Sequence, residues 1–399
     1  MKSAVITLKN WFHSSNHLRS ESQAESPWPL PARGIDYMLL LVVVALVLFG
    51  LIMVYSSSFI YAQEKTGDGF FFIRKQLIYA VLGFVILLGV CRIEYRKWEK
   101  WAYPVLGAAI VMLALILVPG IGTRVGGARR WIHFGSFRFQ PGEFAKFAVI
   151  FFVARQLTRK QDRISTLAAG VLSPFVAPLP VMFLLLFQPD FGTIVMLTIV
   201  TFFLMFVGGV PLRYLMGTFG LASVVGGFLA FGTAYRRARL ITFMNPWNDP
   251  GGKGFQILQS LIGLHNGRIW GVGLGNGKEK LLYLPEAHND FIFSVIGEEL
   301  GFVGIAAIIF AYLYFVYRGL RIAWNCQKLY QDRFGLLLAT GITLALGLQG
   351  FVNIAVVLGL VPTKGLTLPF ISYGGSALLV DLFAVGVLLS VARGRRYAE

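Results

Sequence analysis

The stretch PEAHNDFIFSVIGEELGFVG, Pro285 to Gly304, opens on a cluster of carboxylates and runs into an apolar segment that continues to Tyr317. A segment of that length is able to cross a bilayer, yet Glu298 and Glu299 sit inside it, where charge is costly and usually marks function. Apolar blocks of about 20 residues, the length that a hydrocarbon core of about 30 Å requires, recur on both sides of it. Ten are read, at about 36–59, 71–91, 101–118, 143–157, 165–187, 190–208, 214–234, 291–317, 334–360 and 375–392. With 56% hydrophobic and only 14% charged residues among 399, the chain has too much apolar surface for a soluble domain. Backbone groups in lipid must be satisfied internally, so the expected fold is all-α and polytopic. It is a bundle of about ten transmembrane helices, with a large extracytoplasmic loop between spans seven and eight. A β-barrel would instead show alternating segments of about ten residues.

Three regions follow from these boundaries: an N-terminal tail over 1–35, a membrane domain over 36–392 and a short tail over 393–399. The first 35 residues carry neither a short apolar core nor a small-residue cleavage site, so no cleavable signal is expected. Cys91 and Cys326 are isolated and give no disulfide framework. The formal charge of +17 is distributed by topology. Arg92, Arg96, Lys97 and Lys100 follow span two, and Arg155, Arg159, Lys160 and Arg163 follow span four. Arg318, Arg321, Lys328 and Arg333 follow span eight, and Arg393, Arg395 and Arg396 follow span ten. Every second connection is basic, which assigns those loops and both termini to the cytoplasm. That charge speaks for membrane topology and against a nucleic-acid partner.

The opposite face departs from the rule. The loop 119–142 carries Arg124, Arg129, Arg130 and Arg138, and the loop 235–290 carries Arg236, Arg237, Arg239, Lys253, Arg268, Lys278 and Lys280. Lys364 stands in the last outer loop. Long loops translocate whatever their charge, so tolerance is one reading. The other is a cationic mouth for an anion with several oxygens, such as a pyrophosphate. Arg130, whose guanidinium grips two oxygens at once, is the leading candidate in the first loop. RRWIHFGSFRFQPGEFAK, Arg129 to Lys146, predicts a β-hairpin around Gly135-Ser136, with Trp131 as an interfacial anchor. In FQPDFGT, Pro189 interrupts span five and Asp190 is placed to cap span six. GVGLGNGKEK, Gly271 to Lys280, lacks the strand and the lysine-serine pair of a phosphate loop and reads as a mobile turn. His133, His265 and His288 show no metal-ligand spacing.

In the opening stretch, Asn289 and Asp290 stand where a helix cap ordinarily stands. Asp290 is nevertheless at the outer surface, beneath a basic loop and ahead of two acids. On an ideal helix Glu298 lies about 12 Å below Asp290 and about 80° around, so it shares a broad face with Asp290 while Glu299 serves another contact. The chemistry that fits is glycosyl transfer from a polyisoprenyl pyrophosphate. An aspartate accepts the proton of an attacking sugar hydroxyl, and cations receive the departing pyrophosphate. Acids near a pyrophosphate would serve equally to hold a divalent cation such as Mg²⁺ or to shape the site.

Near the C-terminus, NIAVVLGLVPTKGLTLPFISYGGSALL, Asn353 to Leu379, resembles the signature of the SEDS family of shape, elongation, division and sporulation proteins. The match runs through Gly359, Pro362, Gly365, Leu366, Ser372, Gly374 and Gly375, and the two stretches quoted above resemble further family motifs. Lys364 in PTKG resembles the cell-division branch, and Asn289 departs from a common threonine. The resemblance implies a peptidoglycan glycosyltransferase that polymerises lipid II at the outer face of the bacterial cytoplasmic membrane, at the division septum. It implies as partners a class B penicillin-binding transpeptidase, other division-complex membrane proteins and membrane lipid. Carried over by position, Asp290 is the catalytic base, and Arg130, Lys364 and Arg239 bind the donor. Glu298, Glu143 and Gln188 support the cleft, and no metal ligand is assigned. The rival readings are a lipid II flippase and a non-catalytic scaffold. A flippase should present anion-binding groups at both faces, whereas the suspected substrate cations here lie outside.

Overall fold

The computed structural model describes residues 34–394 apart from 126–127, 135–136, 177, 233, 249–253 and 282–286. The terminal tails, Lys253 and the Gly135-Ser136 turn lie outside the described residues, as do the side chains of Arg124 and Arg236. In chain order the helices are α1 (Tyr37–Thr66), α2 (Phe71–Arg92), α3 (Arg96–Leu117) and α4 (Pro141–Arg159). Then come α5 (Ala168–Phe187), α6 (Phe191–Val207), α7 (Leu212–Phe231) and two connecting helices, α8 (Ala234–Met244) and α9 (Phe255–Gly267). The last three are α10 (Ile292–Tyr330), α11 (Arg333–Val357) and α12 (Gly375–Arg393). Eight helices among the described residues are long and apolar enough to cross a membrane, and α6 is a shorter apolar helix of 17 residues. The protein is a mostly helical polytopic membrane protein. At its centre stand α11 and α12, 72% and 78% buried over their most apolar windows, whereas α7 at 6% packs only along the edge of the bundle.

Between α3 and α4 the chain forms a small antiparallel sheet of β1 (Gly122–Val125), β2 (Ala128–Phe134) and β3 (Phe137–Phe139). The β2–β3 pair, with Ile132 opposite Phe139, is the expected hairpin; β1 was not expected. Asp190 caps α6 as anticipated, its side chain accepting from Thr193 N at 3.3 Å and from Thr193 Oγ1 at 2.8 Å.

The acids of the opening stretch are placed by a break that sequence reading did not foresee. Helix α10 is interrupted at Gly301, with φ 65° and ψ −162°, a conformation essentially reserved for glycine. The connection ahead of it folds back and pairs with the broken backbone. Val272 N and Gly273 N donate to the carbonyls of Glu298 and Glu299 at 3.0 Å. Phe302 N and Val303 N donate to Arg268 O and Ile269 O at 2.9 and 3.2 Å. The supposedly mobile turn GVGLGNGKEK is therefore a clamp, fixed further by side chains. Glu298 accepts from Lys278 N at 2.8 Å and Glu279 N at 3.2 Å, and Glu299 pairs with Lys280 at 2.7 Å. Beside this clamp the Glu279 carboxyl is pushed up to about 7, first by burial and then by Glu298.

Two contacts measure the depth of these groups. At one end of α1, Arg318 grips both oxygens of Asp36 at 2.7 and 2.6 Å. Toward the other end, Ser56 donates to Glu299 at 2.7–2.8 Å. Twenty helical residues separate Asp36 from Ser56, about 30 Å, the thickness of a hydrocarbon core. Glu298, Glu299 and the break thus lie at the edge of the apolar slab, not deep within it. Irregular backbone is tolerated there because residues 268–273 pair with its polar groups.

A methyl at Gly301 would fall 2.3 Å from Gly271 N and 2.5 Å from Ile269 O. Gly301→Ala should therefore cost about 3 kcal/mol or more and lower the Tm of the purified protein by several degrees. Gly275→Ala, at φ 85° with open space around it, should lower Tm less, and thermal unfolding of the two variants checks this ranking.

Candidate active site

Asp290 immediately precedes the cap residue of α10, Phe291, so it is not the helix cap that its position suggested. The half-buried Asp290 is held by its backbone. Asn353 Nδ2, from the buried helix α11, donates to Asp290 O at 2.8 Å and to Leu366 O at 2.5 Å. A single amide so joins the start of α10 to the loop 358–374, an arrangement that only the family signature had drawn attention to.

That loop brings three of the four expected groups to one tetrapeptide, Pro362 to Gly365. Arg239 on α8 donates to Thr363 O at 3.2 Å. Gly365 lies against the Asp290 carboxylate, so close that an added Cβ would stand 2.8 Å from Oδ2. Between them Lys364 sends its side chain across the first turn of α6, where a Cβ on Gly192 would come within 1.8 Å of Lys364 Cε. Its Nζ is buried and has no hydrogen-bond partner among the described residues. Burial pulls the ammonium down to about 8, with Asp190 and Glu143 opposing the fall and Lys146 and Arg130 adding to it. Burial alone would raise Asp190, but Lys364, Arg130 and the Thr193 bonds bring it below the usual aspartate range.

Arg130 reaches the same turn from β2, with half of its fork already engaged. Its Nε donates to Gln188 O at 3.0 Å and its Nη2 to Pro189 O at 2.5 Å, which leaves Nη1 for an anion. Gln188 is buried and ties the turn to α3 through Nε2 and Leu113 O at 3.0 Å. Below Lys364 lies a buried polar cluster. Glu143 and Lys146 on α4 form an ion pair of 2.6 Å, Lys146 also donates to Gln349 Oε1, and Asp381 on α12 is buried nearby. Gln349 Nε2 in turn donates to Thr367 O at 3.1 Å, so the cluster steadies the loop that carries Lys364. A buried pair of this kind is better evidence for positioning than for stability. Sequence reading had singled out Glu143 but not Lys146, Gln349 or Asp381, because their proximity arises only from the packing of α4, α11 and α12.

Glu298 does not join this group, since both of its oxygens hold loop amides. His288 stacks among Phe72, Tyr61 and Tyr373 with centroids 4.5–5.7 Å apart, and burial pushes it down to about 4, so the ring is neutral. Among the described residues no three carboxylate, imidazole or thiolate groups converge on a metal position. The charges that the described site offers to an anion are side-chain cations.

The chain is similar to known proteins over most of its length. The chain is 47% identical over 363 residues, 91% of its length and 94% of the relative, to a probable peptidoglycan glycosyltransferase FtsW of Trichlorobacter lovleyi. It is 39% identical over 364 residues, 91% of its length and 98% of the relative, to stage V sporulation protein E of Bacillus subtilis. Among solved structures it resembles a chain of a peptidoglycan synthase complex that coordinates polymerization and crosslinking. The TM-score is 0.75 at 32% identity, over 92% of this chain and 99% of that one. It also resembles the rod shape determining protein RodA of Thermus thermophilus, with a TM-score of 0.67 at 28% identity over 92% and 99% of the two chains. The family model described as cell cycle protein, which groups FtsW, RodA and SpoVE, matches residues 36–397, and the chain belongs to that family.

Proposed function

We propose that this chain is a peptidoglycan glycosyltransferase of cell division, polymerising lipid II into glycan strands with Asp290 as the general base. One observation carries the reading: the Asp290 carboxylate lies against Gly365, one residue from a buried ammonium that has no hydrogen-bond partner among the described residues. The exposed, side-chain-free Gly365 leaves room for a sugar hydroxyl to approach Oδ2. As that hydroxyl oxygen bonds to the donor's anomeric carbon, its proton passes to Asp290 and the bond from that carbon to pyrophosphate breaks. Attack and departure on opposite faces invert the centre. Lys364, Arg130 through Nη1 and Arg239 receive the developing negative charge, and the stabilisation is greatest when the charge is fully formed. Holding the acceptor in line with the donor would contribute about 7–11 kcal/mol toward the barrier. A divalent cation such as Mg²⁺, where one takes part, would enter on the pyrophosphate oxygens.

In this reading both termini and the Asp36–Arg318 end face the cytoplasm, while Asp290 and the basic loops face outward at the septum. The product strand would pass to a class B penicillin-binding transpeptidase within the division complex.

Asp290→Asn should abolish polymerisation of labelled lipid II by the purified complex, with a loss of at least about 10²-fold, while folding and partner binding persist. Unchanged glycan synthesis by that variant would overturn the assignment. The Lys364 ammonium titrates near 8, below the ordinary lysine value, so the site cation is present below that pH and lost above it. kcat/KM for lipid II should therefore fall above pH 8 in the native enzyme and stay flat in Lys364→Arg, whereas Lys364→Ala should show the lowered kcat/KM, by about tenfold and chiefly through kcat, at every pH. Gly192→Ala displaces only the flexible end of Lys364. It should reproduce the lowered kcat/KM with Tm nearly unchanged, and steady-state kinetics beside thermal unfolding tests the pair of outcomes.

A further inference from the structure

A second polar feature lies away from Asp290. Between the clamp and the broken helix is a cavity of about 600 Å³, lined by Asn266, Arg268, Trp270, Asn276, Lys278 and Glu298 among others. Neither Gly365 nor Lys364 borders it. Both Glu298 oxygens accept backbone amides, so its charge is already engaged. Arg268 and Lys278 are exposed, and their side chains make no hydrogen bond or ion pair among the described residues. Around this polar floor runs an apolar rim, with Ile269, Trp270, Leu274 and Phe302 59%, 81%, 56% and 64% exposed. The neighbouring Ser56–Glu299 contact fixes its level at the edge of the hydrocarbon slab, which is where lipid headgroups begin and where tryptophan settles.

Two free cations beside exposed aromatic and aliphatic side chains, at headgroup depth, suit neither a soluble anion nor bare acyl chains. A soluble anion gains nothing from the rim, and acyl chains gain nothing from the cations. We propose that this cavity binds the phosphate headgroup of a membrane lipid, with the lipid chain lying along Ile269, Trp270 and Phe302. Arg268 and Lys278 contact the phosphate oxygens, and the Asn266 and Asn276 amides supply further donors. The ligand chemistry is shared by a bilayer phospholipid and by a polyprenyl phosphate.

The test is native mass spectrometry of the full-length protein in detergent, titrated separately with phosphatidylglycerol, undecaprenyl phosphate and diacylglycerol, which lacks phosphate. The native protein should bind at least one of the two phosphate lipids and discriminate against diacylglycerol. R268Q/K278Q should weaken that binding by roughly tenfold or more, since each basic residue near an anionic headgroup contributes about one kcal/mol. R268K/K278R should retain it. Loss confined to phosphatidylglycerol assigns the site to bilayer lipid, loss confined to undecaprenyl phosphate assigns it to the carrier, and loss of both assigns it to either headgroup. Equal binding of diacylglycerol, no binding of either phosphate lipid, or undiminished binding by R268Q/K278Q overturns the proposal. Asp290→Asn should bind these lipids as the native protein does, so the outcome is independent of the catalytic assignment.

Discussion

An amide or carbonyl left unpaired in hydrocarbon costs several kcal/mol, and this constraint shapes the active end of the molecule. Helix α10 breaks at Gly301, and the break persists because residues 268–273 supply partners for the interrupted backbone. The long connection between α7 and α10 is thereby drawn into the fold. Its Lys280 is buried against Glu299 and Ser56, and its amides at 278 and 279 are held by Glu298. The result is a fixed start for α10, next to Asp290, the residue proposed as the base.

The loop 358–374 is restrained to a comparable degree. Gln76 on α2 donates to Ser372 O at 3.1 Å, Ser372 Oγ accepts from Leu368 N at 2.8 Å, and Tyr312 donates to Pro369 O. With Asn353 and Gln349, these bonds tie the loop to three helices, α2, α10 and α11. Lys364 and Gly365 are consecutive, so setting this backbone sets the cation and the face of the base together. Catalytic geometry has to be held to within a fraction of an ångström, and a loop does that only when its own polar groups are paired in this way.

How much of this was legible in the sequence depended on the range of each interaction. Apolar block lengths respond to bilayer thickness alone, so the helical bundle could be read from hydrophobicity. The Asp190 cap and the 128–139 hairpin are local and could be read from adjacent residues. The clamp could not, because Glu298 and Glu299 follow helical periodicity and nothing in the sequence before Gly301 announces that the helix stops there. An ideal helix placed Glu298 on the face of Asp290; Asp290 instead stands ahead of the helix, and both Glu298 oxygens hold loop amides. The Lys146–Gln349–Thr367 chain spans more than 200 residues and exists only through packing. Basic residues in the outer loops were visible, but not that Arg130 spends two donors on backbone carbonyls while Lys364 keeps all of its own.

That last difference bears on how the site works. A buried ammonium without a hydrogen-bond partner is an unfavourable arrangement, and here burial has already drawn its proton affinity down. Asp190 restrains Lys364 through charge, and its own oxygens are turned to Thr193. An arriving pyrophosphate would relieve this cost, and more so as its charge grows on leaving the sugar. In the mechanism proposed above, Lys364 would therefore favour the departing group over the intact donor, a bias that a fully paired lysine at the same position would lack. The small Gly192 leaves room for the stem that holds the ammonium there; in the proposed mechanism a methyl at that position, 1.8 Å from Lys364 Cε, would displace the ammonium and remove the bias.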